Sequence, residues 1–148
     1  MTHAAPARVE FGGVTPILRV AEFATSLAFY IDALGFSVDW KEEGFACVRR
    51  GRVPLMLCAG DQGHAGTWVY IGVDDVDALF EELREKNVPV RHPPTNYPWG
   101  ARELQVADPD GHVLRFGSDA TDAPVGAWRG GQGRLWFPQP DGSWREEA

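Results

Sequence analysis

The chain carries one local pattern twice, and that duplication restricts its possible folds more than any other feature. In the first copy, Val14 to Val20 reads as a short strand, with Pro16 placing it at an edge or a crossover because proline has no N–H to donate. Phe23, Leu27, Tyr30, Ile31 and Leu34 then recur at helical spacing, and Gly35 follows as the stop. Three strand candidates come next, Phe36 to Lys41, Phe45 to Arg50 and Val53 to Cys58, parted by Glu42-Glu43-Gly44 and Gly51-Arg52. The second copy opens at Thr67 to Val73, where Trp68 and Tyr70 alternate with Val69, Ile71 and Val73. Asp74-Asp75 can cap the next helix, whose buried stripe is Val76, Leu79, Phe80 and Leu83 and whose end is Asn87. Strands are predicted at Pro89 to His92, Arg102 to Ala107 and His112 to Gly117. Aligning Val20 with Val73 and Val38 with Val90 gives a period of a little over 50 residues, which suits two stacked copies of one small module. The fold class is therefore α+β: two βαβββ modules, about 14–58 and 67–117, curving a mixed sheet around a central cleft with the helices on the outer faces.

The second copy also contains the clearest turn. Asp108-Pro109-Asp110-Gly111 fits a tight reversal, because Pro presets φ, Asp bonds its own backbone and Gly tolerates the exit geometry. Upstream, Trp99 sits between Pro98 and Gly100. A flat side chain on a restricted loop loses little entropy on contact, which suits stacking on a ligand ring, and plugging the end of the core would use it equally well. Residues 1–13 read as a flexible arm. Residues 118–148 form an extension with Trp128, Trp136 and Trp144, in which Arg134 to Phe137 and Ser143 to Arg145 suggest a hairpin. Three indoles have large apolar areas to bury, over an edge strand, across a subunit boundary or in the cleft.

Charge narrows the partners. A net charge of −7 argues against nucleic acid and anionic membrane, both of which need a basic footprint, and is compatible with a cationic ligand as well as with plain solubility. No run approaches a membrane span or a secretion signal, so the expected location is cytoplasmic. Cys47 and Cys58 read as reduced, buried thiols.

The tokens Thr15-Pro16-Ile17-Leu18-Arg19-Val20, Ser26-Leu27-Ala28-Phe29-Tyr30, Leu34-Gly35-Phe36, Val73-Asp74-Asp75-Val76-Asp77 and Asp108-Pro109-Asp110-Gly111 together resemble the glyoxalase, bleomycin-resistance and dioxygenase (vicinal oxygen chelate) superfamily over residues 14–117. Leu34 to Trp40 leading to Phe45-Ala46, Thr67-Trp68-Val69, and Pro98-Trp99-Gly100 before Arg102-Glu103 are similar to the bleomycin-binding resistance proteins within it. The resemblance implies that the positions where the superfamily's enzymes hold a divalent metal carry Thr15, Met56 or Leu57, Trp68 and Arg115 here. Such a set lacks converging imidazole or carboxylate donors, so no metal and no cofactor is expected. His3, His64, His92 and His112 read as solvated or capping side chains.

The resemblance further implies that Trp40, Phe45 and Trp99 clamp a planar drug arm. By alternation Phe45 and Cys47 share one strand face, and Trp68 and Tyr70 share another. With Arg115, the expected ligand-binding set is Trp40, Phe45, Cys47, Trp68, Tyr70, Trp99 and Arg115. Asp39, Glu42, Glu43, Asp61 and Glu103 could supply a negative field for a cationic tail. Pro16 stands where the resistance proteins exchange their first strand, which implies a homodimer. The function so implied is antibiotic sequestration without turnover. The alternative is an enzyme of the same superfamily, metal-dependent or using Arg115 as an electrophilic anchor with Glu103 as base; a scaffold or sensing module is the third reading, supported by the extension alone.

Overall fold

A computed structural model describes residues 5–129, 133–141 and 143–148. The first module comprises β1 (Ile17–Arg19), α1 (Phe23–Ala28) running into a π-helical turn (Phe29–Ala33), β2 (Ser37–Glu42), β3 (Phe45–Arg50) and β4 (Val53–Cys58). The second comprises β5 (Trp68–Gly72), α2 (Val76–Glu85), β6 (His92–Asn96), β7 (Ala101–Ala107) and β8 (Val113–Asp119). Each forms a four-stranded mixed sheet, in the orders β1-β4-β3-β2 and β5-β8-β7-β6. The duplication extends to single hydrogen bonds: Val20 N donates to Cys58 O at 2.9 Å, and Val73 N to Gly117 O at 2.8 Å. The alignment of Val20 with Val73 is thus a structural equivalence.

The helices end and begin where their residues dictate. Asp75 caps α2 by accepting from Ala78 N at 3.0 Å, and Asn87, at φ 56°, ends it in the left-handed region that Asn tolerates. Leu34 N bonds Phe29 O, five residues back, which closes the π turn before Gly35. Pro16 and the short β1 lie at a sheet edge, as the missing N–H requires. The strand expected at Pro89 to His92 lies instead at His92–Asn96. It is an edge strand with a register shift between His92 and Thr95, and this shift accommodates Pro93 and Pro94, which cannot donate to a ladder.

One hydrophobic core gathers the helix-covered faces of both sheets, including Leu18, Tyr30, Leu34, Val48, Leu55 and Leu57 from the first module and Ile71, Leu83, Leu104, Val106, Leu114 and Phe116 from the second. The turn at Asp108 to Gly111 forms as expected and also clasps the modules together. Asp108 Oδ1 accepts from Asp110 N and His112 N, and its Oδ2 accepts from Tyr30 Oη at 2.8 Å. Asp110 accepts from Ala21 N and Ser26 Oγ. Burial first, then Asp108, pushes the Tyr30 hydroxyl pKa far above the ordinary tyrosine value.

His112 departs from the expectation of a solvated or capping side chain: it is fully buried. Thr67 N donates to its Nδ1 at 3.0 Å, so the ring proton is on Nε2, which donates to Arg19 O at 2.6 Å. It joins the start of β5 to the end of β1. His3 lies outside the described residues.

The extension holds a three-stranded antiparallel sheet, β9 (Trp128–Arg129), β10 (Leu135–Pro138) and β11 (Trp144–Glu146), one strand more than the expected hairpin. Trp136 and Trp144 are half-buried; Gly142 and the side chain of Trp128 lie outside the described residues.

Candidate functional site

The faces of the two sheets turned away from the helices carry the residues the sequence singles out. On the first sheet, Cys47 is paired with Trp40 and Met56, and Met56 with Ile17, so these four share a face with Phe45. On the second, Tyr70 is paired with Arg115 and Arg115 with Gln105, while Glu103 is opposite Gly117. The equivalence of Cys58 with Gly117 makes Met56 the counterpart of Arg115, Ile17 of Tyr70, Cys47 of Gln105 and Phe45 of Glu103. The same positions are apolar in one copy and polar or charged in the other.

Two aromatic platforms result. Trp40 stacks on Phe45 with centroids 5.4 Å apart and planes 7° from parallel. Trp99 stacks on Tyr97 at 4.6 Å and 6°. In both pairs one indole face is backed by a second ring and part of the indole stays open, with Trp40 39% and Trp99 51% exposed. Trp40 and Phe45 thus meet each other, while Tyr70, Trp99 and Arg115 assemble on the other sheet. Trp68, also on that face, has the Arg91 guanidinium 5.0 Å from its ring centroid. Cys47 is buried on the same face as Phe45, and burial, then the charge of Asp39, pushes its thiol pKa up.

The second platform is anchored by a carboxylate. Glu103 is 1% exposed; it accepts from Trp99 Nε1 at 2.6 Å, from Arg115 Nη2 at 3.1 Å and from Arg115 Nε. A carboxylate so buried is tolerable only because three donors converge on it. Arg115 in turn lies 5.4 Å from the Tyr70 ring centroid and 5.5 Å from that of Trp99, and the Glu103 hydrogen bond raises its pKa further. Burial, then the charge of Glu103, raises the pKa of Tyr97. Gly117 makes room for this arrangement, since a Cβ there would collide with the Tyr70 hydroxyl. A cavity of about 540 Å³ adjoins the cluster, with Tyr70, Trp99, Asp74 and Asp119 in its wall. A second, of about 470 Å³, lies at the seam between modules beside Phe36, Ile71, Leu79 and Phe116.

The sequence alone does not mark Tyr97, Gln105 and Arg91 as site residues, and it offers Glu103 as a base or a source of field, whereas the structure makes it an anchor. Tyr97 stands two residues before Trp99, and Glu103 and Gln105 alternate on the strand paired with Arg115; those spacings were the available signal. A divalent cation does not fit this donor set. Among the described residues no group of three His, Cys, Asp or Glu converges, and Glu103 is already engaged by a guanidinium that would repel a cation. Of the two alternatives at the fourth strand, Met56 shares the open face and Leu57 is wholly in the core.

The fold is a duplicated βαβββ arrangement whose two sheets carry open aromatic faces, and no helix among the described residues is long and apolar enough to span a membrane. The chain belongs to the Glyoxalase/Bleomycin resistance protein/Dioxygenase superfamily, whose sequence profile matches residues 7–116. Within it, the chain is 29% identical over 123 residues to a bleomycin resistance protein of Geobacillus stearothermophilus, covering 68% of this chain and 92% of that one. It is 31% identical to a bleomycin-binding protein of bleomycin-producing Streptomyces verticillus, solved with copper(II)-bleomycin; the superposition has a TM-score of 0.65 and covers 77% of this chain and all of that one. A lactoylglutathione lyase of Agrobacterium tumefaciens, 22% identical with a TM-score of 0.62 over 72% of this chain and 92% of that one, shares the fold.

Proposed function

We propose that the protein binds and sequesters an antibiotic of the bleomycin type without chemical turnover, as a homodimer in the cytoplasm. The observation that carries this reading is the Trp99 platform, an open indole fixed in advance by Tyr97 and Glu103. A flat heteroaromatic arm placed against such a ring gains on the order of 1 kcal/mol per stacking pair beyond its burial. The Trp40 and Phe45 platform is the natural second wall, and a two-fold dimer would set it, from one subunit, opposite the Trp99 platform of its partner. First-strand exchange at Pro16 would link the subunits. Glu103, held by Arg115 and Trp99, is poorly placed to act as a general base, which favours binding over catalysis.

The test is a titration of the purified protein with metal-free and with copper-loaded bleomycin, followed by tryptophan quenching and calorimetry, with DNA cleavage by the drug as the functional readout. One drug bound per cleft, recovered unchanged, with DNA protected in proportion to protein, is the expected result. No quenching at micromolar drug, or release of a chemically altered drug, overturns it; the second outcome would move the protein to the enzymatic side of its superfamily.

A further inference from the structure

The C-terminal extension starts beyond the part of the chain that the superfamily profile covers, which ends at residue 116. Its first residues nevertheless run directly against the loop that carries Trp99. Ala120 N donates to Gly100 O at 3.0 Å, and Gly126 N donates to Asn96 O at 2.9 Å. The Asn96 side chain donates through Nδ2 to Thr121 O at 3.0 Å and Ala123 O at 2.6 Å, and its Oδ1 accepts from Thr121 N at 3.2 Å. Asn96 is 2% exposed, so these bonds form away from bulk water, where losing one is most costly. The stretch 97–100 is closed internally by Tyr97 N to Ala101 O and Gly100 N to Tyr97 O. It is therefore held on both flanks by residues 120–126. Gly126 approaches so closely that a Cβ there would lie 2.5 Å from Thr95 Cγ2.

We infer that the extension is a buttress of the ligand platform, and that Asn96 is the positioning residue through which it fixes the Tyr97–Trp99 pair. The sheet holds this loop from one side, through Glu103 and Arg115 at the Trp99 ring, and the extension holds it from the other, at the Asn96 end of the edge strand β6. A platform held from two sides presents one ring orientation to a guest, and the ordering is complete before binding. The inference rests on the reading of Trp99 as a ligand wall for its effect on affinity, and on the structure alone for its effect on Trp99 itself.

Two variants test it in the full chain: Asn96→Ala, which removes the side-chain bonds, and Gly126→Val, which pushes the extension off Thr95 from outside the duplicated domain. Fluorine NMR of protein labelled with 5-fluorotryptophan, with Trp99 assigned through Trp99→Phe, reads the platform without ligand. Hydrogen exchange at Tyr97 and Gly100 reads the loop. Both variants are expected to shift or broaden the Trp99 resonance while leaving that of Trp40 in place, to speed exchange at the two amides, and to weaken bleomycin binding about tenfold. An unchanged Trp99 resonance and unchanged exchange in Gly126→Val overturn the inference, and that variant decides if Asn96→Ala fails to fold. A wild-type protein that binds no bleomycin would remove the proposed function, and the ligand-free spectra would still decide this point.

Discussion

Replacing Glu103 with glutamine removes one charge and one acceptor from the centre of the second platform, and the structure sets the size of the effect. The carboxylate uses one oxygen for Arg115 Nε and the other for Arg115 Nη2 and Trp99 Nε1. Glutamine keeps a single acceptor oxygen. If that oxygen takes the place beside Arg115 Nε, the NH2 faces both the indole N–H and Arg115 Nη2 and Trp99 must turn away; if it takes the place shared by Trp99 Nε1 and Arg115 Nη2, the NH2 faces Arg115 Nε. Breaking a fully buried ion pair from one side costs about 3–5 kcal/mol. The Arg115 side chain is 35% exposed and can regain water, so the stability loss should be nearer 2 kcal/mol, the range of one or two charge-assisted hydrogen bonds. Urea unfolding followed by far-ultraviolet circular dichroism measures this without relying on the indoles being perturbed. A cycle with Trp99→Phe separates the indole's share, expected at about 1 kcal/mol of coupling. Stability within about 0.5 kcal/mol of the parent, together with zero coupling, would show that the carboxylate anchors neither partner and would refute the reasoning.

Other consequences can be checked in parallel. Trp99→Ala should weaken bleomycin binding by about 2 kcal/mol, some thirtyfold, and more than Trp128→Ala does; titration calorimetry gives both values, and the reverse order would put the cleft elsewhere. Tyr97 has its pKa raised by burial, so its neutral form contributes stability that is fully present below the ordinary tyrosine value of about 10 and is lost as pH rises through the higher folded value. Denaturation midpoints between pH 9 and 11 should therefore fall less steeply in Tyr97→Phe than in the parent. Gly63→Ala should destabilise by about 1–3 kcal/mol, because φ there is +80° and a Cβ would meet Ile17 O at 2.7 Å beside β1. A thermal midpoint equal to the parent's would show that the loop can move away from β1.

Periodicity made the fold legible where side chains alternate or recur on one face. Val20 against Val73, the stripe from Val76 to Leu83, and the strands on either side of Asp108 to Gly111 all lie where the sequence predicts them. It misled at β6, where Pro93 and Pro94 look like a breaker and are in fact tolerated on an edge. The π turn after Ala28 was not legible, since Phe23, Leu27, Tyr30, Ile31 and Leu34 fit a regular helix equally well. At the site, the rings stood out by chemistry, but their partners did not. Glu103 meets Arg115 twelve residues away across a strand pair, and Asn96 meets Thr121 at a separation of twenty-five. A carboxylate or amide on a strand looks like a wet residue until the chain that buries it has been placed.

The divergence between the two copies explains why this platform is built from a charged pair. At equivalent positions the first module has Phe45 and Met56, and the second has Glu103 and Arg115. Apolar residues would fill the second site at lower desolvation cost, and buried ion pairs seldom add net stability. What the pair adds is direction. Phe45 can back Trp40 only by contact, and contact leaves a ring free to slide; Glu103 receives the one N–H that Trp99 owns and thereby fixes the indole's rotation in its plane. Freezing a side chain before a guest arrives saves about 0.5–1.5 kcal/mol of ordering at the moment of binding. Under the proposed binding function, the first platform would adapt to the guest's shape while the second sets its orientation, a division of labour that requires the duplicated positions to differ.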